Sequence, residues 1–182
     1  MQVAKPKKDP ANSRSNSGSV AELAPVLFVI FFLFVIPMIN IGCLATRYAL
    51  AMTACREAAH QAAVAYTFQT GSAGRPSAMD ACDQAILNTV AKFSGIKVAS
   101  KDLDIIATNI NTQAINRYPG KLTSPANTQT DVFSLETNMV VDLDPLIAYN
   151  GPFLSNIPGL TGPYRVNLYA REYAENPQGL NQ

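Results

Sequence analysis

The apolar and polar positions divide the chain into segments of different pattern. Residues 1–18 are mainly polar and include two prolines, which predicts a disordered leader. Residues 23–44 carry no charge, and at about 1.5 Å per residue a helix of this length spans roughly the 30 Å of a bilayer core. Cleaved secretory signals have a shorter apolar core. We therefore predict a retained transmembrane helix over residues 19–45, with Pro25 in its first turn and Pro37 at a kink.

The helix is predicted to continue beyond the membrane. Residues 46–66 are rich in alanine and contain neither glycine nor proline, so we expect a helical extension over residues 46–69. Small side chains form a broad stripe along it, which would let another backbone approach closely. The stripe packs on the chain's own domain, on neighbouring subunits, or on both through different faces. Its members are Ala51, Ala54, Cys55, Ala58, Ala59, Ala62 and Ala63.

Residues 70–182 are predicted to form a folded domain in which the pattern changes from helical to alternating. After a linker rich in glycine, a second helix begins at Ser77 with Asp80 in its first turn and runs up to Gly95. Strands are expected over residues 102–113, 132–144 and 164–174. The predicted fold class is α+β: a long N-terminal transmembrane helix continues as an Ala-rich stalk, followed by a small antiparallel sheet with a packed helix.

An apolar segment, residues 145–163, connects the last two predicted strands. It is too apolar for a free loop, so we expect it to be covered. It folds over an open edge or end of the sheet, or it contacts another subunit or the membrane. Its apolar members are Leu146, Ile147, Phe153, Leu154, Ile157 and Leu160.

Charge is distributed unevenly along the chain. The first 18 residues hold four basic residues and one acidic residue, whereas ten basic and twelve acidic residues follow. Basic residues before an apolar run, with few charges just after it, place the N-terminus in the cytoplasm and the folded domain outside it. The later basic residues are scattered singly, so nucleic acid is not expected as a partner.

Few residues have the type and spacing of a catalytic, metal-binding or phosphate-binding site. His60 has no second histidine and no cysteine pair at metal-ligand spacing. Asp102 and Asp104, like Asp142 and Asp144, are expected to be solvated strand residues rather than a cation site. The sequence places no base beside a nucleophile and has no phosphate-binding loop, so we expect no catalysis, no cofactor and no metal.

The positions of the three cysteines matter because the folded domain is predicted to lie in an oxidising compartment. Cys43 lies at the outer end of the apolar run, and Cys55 and Cys82 would face an oxidising environment. Two alternatives remain open for the latter pair: a disulfide between them, or two separately buried thiols.

Residues 18–60 combine several motifs in a fixed order. A Gly-Ser start is followed by Glu22, a proline-containing apolar run and REAA at residues 56–59. This segment, GSVAELAPVLFVIFFLFVIPMINIGCLATRYALAMTACREAAH, resembles the N-terminus of the TadE-like family, the pseudopilins of tight-adherence (Tad, or Flp-type) type IV pili. The last part of the chain, LSNIPGLTGPYRVNLYAREYAENP, is similar to the closing strand of that family.

The resemblance implies a prepilin whose cytoplasmic leader is removed by a prepilin peptidase. The candidate processing site comprises Ser17, Gly18 and Ser19, with the cut between Ser17 and Gly18 or between Gly18 and Ser19. Glu22 is the candidate assembly residue, because a carboxylate at the edge of the hydrocarbon is costly unless it is paired. The new α-amine of its own chain or of a neighbour would pair with it. Alternatively, Glu22 rests among lipid headgroups.

The resemblance favours a structural assembly protein, a TadE-like minor pilin or pseudopilin that acts in the biogenesis of a Tad-type pilus and thereby in adhesion or biofilm formation. Its expected partners are membrane lipid, other pilin or pseudopilin subunits contacted through the N-terminal helix, and the prepilin peptidase. Its expected location is the inner (cytoplasmic) membrane, or the extracellular pilus after assembly. The alternative is a single-pass, membrane-anchored extracytoplasmic binding or scaffold module that never enters a fibre.

Overall fold

The computed structural model describes residues 18–72, 74–148 and 157–182, and the chain divides into two units, Met1–Pro37 and Met38–Gln182. The predicted leader lies outside the described residues, as do Phe153 and Leu154 of the apolar connecting segment. The predicted α+β class is confirmed, because a long apolar N-terminal helix precedes a small antiparallel sheet with a packed helix.

The first helix, α1, runs from Gly18 to Val64. It contains residues 19–45, but the extension predicted over residues 46–69 stops five residues early, at Val64. Pro25 and Pro37 both lie inside it, so the prediction that Pro25 occupies the first turn was wrong, since the helix already begins at Gly18. The large apolar side chains of residues 23–34 are 45–64% exposed. By length and composition, α1 could cross a membrane.

The second unit is built on four antiparallel strands in the order β2-β1-β3-β4. In the central pairs, Ile105 lies opposite Leu135 and Met139 lies opposite Leu168. The alternation predicted for β3 is confirmed on its apolar side, where every second residue from Phe133 to Leu143 is buried. The strands are β1 Ile96–Asn109, β2 Ile115–Tyr118, β3 Asp131–Leu143 and β4 Tyr164–Tyr173.

Two features of the sheet differ from the prediction. Strand β1 ends at Asn109, before the predicted residue 113, and begins at Ile96, before the predicted residue 102. A bulge between Val98 and Ser100 and a run of exposed residues conceal the alternation of its first part. Strand β2 was not predicted at all. Its four residues are all exposed, so it has no hydrophobic pattern to reveal it.

The second helix, α2, spans Ala78–Val90 and begins as predicted. The Ser77 hydroxyl accepts a hydrogen bond from the Asp80 backbone N–H at 3.2 Å, which is the usual geometry of an N-cap. The helix ends at Val90 rather than at Gly95, and Gly95, with a φ of 81°, makes the turn into β1.

The core lies between the sheet, α2 and the second half of α1. All seven residues of the predicted small-residue stripe are buried, which confirms that the stripe packs on the chain's own domain. Six of them, all except Ala63, share one cluster with Ile86 of α2 and with Ile105 and Leu135 of the sheet. The small side chains bring α1 so near the sheet that the Cys55 thiol donates to the Thr137 carbonyl at 3.6 Å.

The C-terminal residues secure the far end of α1. The Glu175 N–H donates to the Ala63 carbonyl at 2.9 Å, and the Asn176 amide donates to the Val64 carbonyl at 3.3 Å. Carbonyls in the last turn of a helix lack partners within the helix, so the tail satisfies two of them. The position of α1 on the sheet is thereby fixed at its C-terminus.

Candidate interaction surfaces

The first surface lies where α1 meets the segment that connects β3 with β4. Asn40 is the one strongly polar side chain of the apolar run, and it is only 1% exposed. Its Nδ2 donates to the Ile147 carbonyl at 2.8 Å, and its Oδ1 accepts from the Ile147 N–H at 3.0 Å. A single side chain therefore satisfies both backbone polar groups of a residue far away in sequence.

Nearer the C-terminus of α1, two further contacts hold the same segment. The Arg47 guanidinium donates to the Asp144 carbonyl and lies against Gly95, where a Cβ would collide with it. The Gly95 carbonyl in turn accepts from the Asp144 N–H at 2.9 Å. Leu44 packs on Gly159, where an added Cβ would come within 2.6 Å of the Leu44 Cδ1. Thus α1 holds both ends of the connecting segment.

We call residues 144–148 and 157–163 of this segment the strap. Its described attachments to α1 are those made at Asn40, Arg47 and Leu44. Leu146 and Ile147 nevertheless remain 56% and 41% exposed, and Ile157 is 40% exposed. The strap thus presents an apolar surface beside the helix, in addition to being tied to it.

The second surface is the face of the sheet that points away from the core. Arg117 of β2 forms ion pairs with Asp104 at 2.7 Å and with Glu136 at 2.5 Å. Arg171 of β4 donates to the same Glu136 carboxylate at 2.8 and 3.1 Å. Glu136 lies on the face of β3 opposite the core, yet it is only 6% exposed because two guanidinium groups lie over it.

Arginine contacts lower the pKa of two carboxylates on this face, Glu136 and Asp142. Burial by itself raises the pKa of Glu136, but the hydrogen bonds from Arg171 and Arg117 outweigh it, so the pKa lies below its usual value. The pKa of Asp142 is also lowered, chiefly by its hydrogen bonds from Arg165 at 2.7 and 2.8 Å. The charged face is a set of matched ion pairs.

The aspartate pairs that the sequence presented as an alternative cation site are engaged differently. Asp104, Asp142 and Asp144 each form an ion pair with an arginine or a lysine, the last with Lys97 at 2.9 Å. His60 is exposed on α1. Among the described residues, no group of three or more His, Cys, Asp or Glu side chains could hold a metal ion.

A groove of about 590 Å³ follows the edge of β1 beyond the end of β2. Its lining includes the apolar side chains of Phe68, Met79 and Leu103 and the ion pair between Lys101 and Asp83. Strand β2 pairs only with residues 105–108, so within the described chain residues 96–104 have no strand beside them on that edge. The groove can accept an extended segment.

The two cysteines considered for a disulfide lie in the same core. Both are free thiols in this structure, and each contacts Thr137: Cys55 at the carbonyl and Cys82 at the hydroxyl, 3.8 Å away. Burial raises the pKa of Cys55 to about 11 and also raises the pKa of Cys82. Both thiols are thus protonated at neutral pH, and the Cys55–Cys82 bond stays a prediction.

The predicted processing and assembly residues lie at the start of α1. Ser17 lies outside the described residues, while Gly18, Ser19 and Glu22 belong to the helix. Their side chains are not among those that the structure describes. The processing site and the role of Glu22 therefore stay predictions.

Comparison of the chain with protein-family models, with curated proteins and with solved structures finds no match. The surfaces described above thus have to be interpreted from their own chemistry. Sequence reasoning missed the contact of Asn40 with the strap and the covering of Glu136. The available signals were one lone amide in an apolar run and an acidic residue in a strand, and neither identifies a partner.

Proposed function

We propose that the chain is a structural assembly protein, a TadE-like minor pilin or pseudopilin of a Tad-type pilus. The observation that carries this proposal is the change of burial along α1. Residues 23–34 expose large apolar side chains, whereas the small residues of the following stripe are buried in the chain's own core. An exposed apolar helix surface of this length requires lipid or other helices around it. A subunit that passes from a membrane into a fibre meets both in turn.

In this proposal the first part of α1 anchors the chain in the inner membrane. The basic leader is cytoplasmic, and the sheet domain lies outside the cytoplasm. A prepilin peptidase cuts beside Gly18, either before or after it, and leaves an α-amine about one helical turn from Glu22. The resemblance of residues 18–60 to TadE-like pseudopilins supports this step.

Glu22 then acts in assembly. A carboxylate at the edge of the hydrocarbon is stabilised when a neighbouring subunit brings its α-amine close, so pairing favours docking of one α1 beside another. The same charge pairing disfavours a subunit that enters out of register, because that subunit leaves both charges unpaired.

The experiment compares Glu22→Ala with Glu57→Ala in cells that assemble the pilus. Both changes remove one carboxylate from α1, but Glu57 is exposed in the extracytoplasmic part and bonds only to Gln61 among described partners. We expect both variants to reach the membrane fraction, and only Glu22→Ala to be depleted from purified pili. Normal incorporation of Glu22→Ala would show that Glu22 has no assembly role.

The alternative function is a single-pass, membrane-anchored binding or scaffold module, and the groove beside β1 is the observation that favours it. Mass spectrometry of the mature N-terminus separates the two functions. A chain that begins at Gly18 or Ser19 agrees with prepilin processing. A chain that keeps Met1 and stays in the membrane agrees with the binding module.

A further inference from the structure

The strap lies beside the part of α1 that still belongs to the apolar run. The run ends at Leu44, and Asn40 lies four residues before that end, which corresponds to about 6 Å along a helix. Because the Asn40 side chain bonds directly to the backbone of Ile147, the strap reaches the same level as Asn40. If the run spans the bilayer, Ile147 lies below the level at which the hydrocarbon ends.

The hydrogen bonding of Ile147 suits such a position. Non-helical backbone is tolerated at membrane depth only where its N–H and C=O groups are bonded within the protein. Asn40 supplies one donor and one acceptor to Ile147, so neither group requires water. The amide of Asn40 is satisfied by the same two bonds, and its own presence in an apolar run is thereby explained.

The side chains of the strap that remain uncovered are apolar. Leu146, Ile147 and Ile157 are 56%, 41% and 40% exposed. The first two belong to the part of the strap that bonds to Asn40, and Ile157 lies two residues before Gly159, on which Leu44 packs. An exposed apolar patch of this kind marks a contact surface. The residues on either side of Asn40 on α1 are also apolar and exposed, which indicates that the same medium covers them and the strap.

Above this level the surface changes as a membrane interface does. Tyr48 and Tyr164 are 44% and 49% exposed, one directly after Arg47 on α1 and the other at the start of β4. The side chains of Lys97 and Arg165, at the same end of the sheet, are 69% and 66% exposed, and each also pairs with an aspartate, Asp144 and Asp142 respectively. Tyrosine prefers the level of the lipid headgroups, and lysine and arginine meet their phosphates.

We infer that the strap enters the outer leaflet of the membrane that α1 crosses, so that the sheet domain is seated on the lipid surface with Lys97 and Arg165 among the phosphate headgroups. This inference rests on the membrane anchoring in the proposed function. The occupant of the apolar patch is lipid rather than a second copy, because the order of apolar, tyrosine and basic residues follows the profile of a bilayer.

The chain contains no tryptophan, so a single substitution creates a depth probe. Leu146→Trp and Ile157→Trp report on two separate ends of the strap. Phe32→Trp reports on the anchor, and Tyr169→Trp, at a residue 69% exposed on β4, is the control for the water-facing sheet. Each full-length variant is reconstituted in vesicles of phosphatidylcholine and phosphatidylglycerol, with either ordinary or brominated acyl chains.

We expect brominated lipid to quench both strap probes and the Phe32→Trp anchor probe, and aqueous iodide to quench only Tyr169→Trp. If brominated lipid quenches the anchor probe but iodide quenches both strap probes, the strap does not enter the lipid, and the proposal is wrong although α1 still anchors the chain. An anchor probe that lipid does not quench would overturn both. If neither quencher reaches the strap probes and the chain cross-links to a second copy of itself, then that copy, and not lipid, covers the apolar surface of the strap.

Discussion

The two halves of α1 differ in side-chain size as much as in burial. Residues 23–34 consist mainly of leucine, valine, isoleucine and phenylalanine, and their large side chains are 45–64% exposed. Between Ala51 and Ala63, the buried positions are alanines and one cysteine, none more than 3% exposed. The half with the larger apolar side chains is thus the one that its own chain does not cover.

The difference follows from what covers each half. A fixed sheet can approach a helix closely only if the side chains between them are small, and alanine loses no rotamer freedom on burial. In the proposed function the other half meets lipid or an exchangeable subunit, which adapts its shape, so large and flexible side chains suit that surface. Side-chain size along α1 therefore indicates whether the neighbour is fixed or exchangeable.

The largest expected effect comes from comparing a Phe→Ala substitution in the buried core with the same substitution in the exposed first half of α1. Phe133→Ala removes a ring that is 6% exposed in the shared core, and we expect it to lower the free energy of unfolding by about 4 kcal/mol. Phe28→Ala removes a ring that is 63% exposed and contacts Phe32, and it should leave the unfolding of the sheet domain unchanged. Urea unfolding in detergent, followed by circular dichroism, measures both values.

Equal losses in these two variants would contradict the comparison. They would mean that the first half of α1 is as much a part of the cooperative fold as the sheet.

A second test enlarges a side chain instead of removing one. Ala58→Leu places extra volume where α1 is 0% exposed, and overpacking of this kind costs about 2 to 3 kcal/mol. Ala49→Leu makes the same change on an exposed face of the same helix and should be neutral. Thermal unfolding of the two variants gives the difference, and an Ala58→Leu variant as stable as Ala49→Leu would show that the sheet is not a fixed neighbour.

The sequence predicts a strand of this sheet only where one face of that strand is buried. The apolar side of β3 was predictable because residues such as Leu135, Met139 and Val141 alternate with polar ones, and they do so because one face contacts the core. Strand β2 was not, since Ile115 and its three neighbours are exposed on both faces and its pairing with β1 comes from backbone bonds. Hydrophobic patterns report burial, not pairing.

Contacts between distant polar groups escape sequence reasoning for a related reason. Asn40 could be singled out as unusual in its run, but its partner is the backbone of Ile147, and every residue has such a backbone. Glu136 is buried by Arg117 and Arg171 from two other strands, which only the strand order brings together. The identity of these partners depends on topology, so it becomes visible only in the fold.

Asn40 lies between the two halves of α1 and allows a test of where the fixed contact begins. Asn40→Leu keeps the volume but leaves the N–H and C=O of Ile147 without their partner, at a cost of about 2 kcal/mol. Asn88→Leu, on the exposed side of α2, is the matched control. Hydrogen exchange should accelerate at the Ile147 amide in the first variant only.

Unchanged protection of that amide in Asn40→Leu would place the boundary of the fixed contact beyond Asn40, nearer to Leu44 and Arg47. The strap would then be held by those two residues alone.

The smallest effect is expected on the sheet face that α1 does not cover, where charge rather than volume sets stability. The hydrogen bonds from Arg171 and Arg117 hold the pKa of Glu136 below its usual value despite burial. The ionised Glu136 side chain contributes about 1 kcal/mol to the free energy of unfolding. This contribution is fully present above pH of about 4.3, the usual pKa of an unfolded glutamate, and it is lost as pH falls through the lowered folded-state pKa. Glu136→Gln should remove this part of the acid dependence, whereas Glu172→Gln, at an exposed residue of β4, should retain it. Unfolding free energies measured from pH 7 downward give both profiles. An unaltered acid branch in Glu136→Gln would mean that the ion pairs of Glu136 contribute nothing to stability.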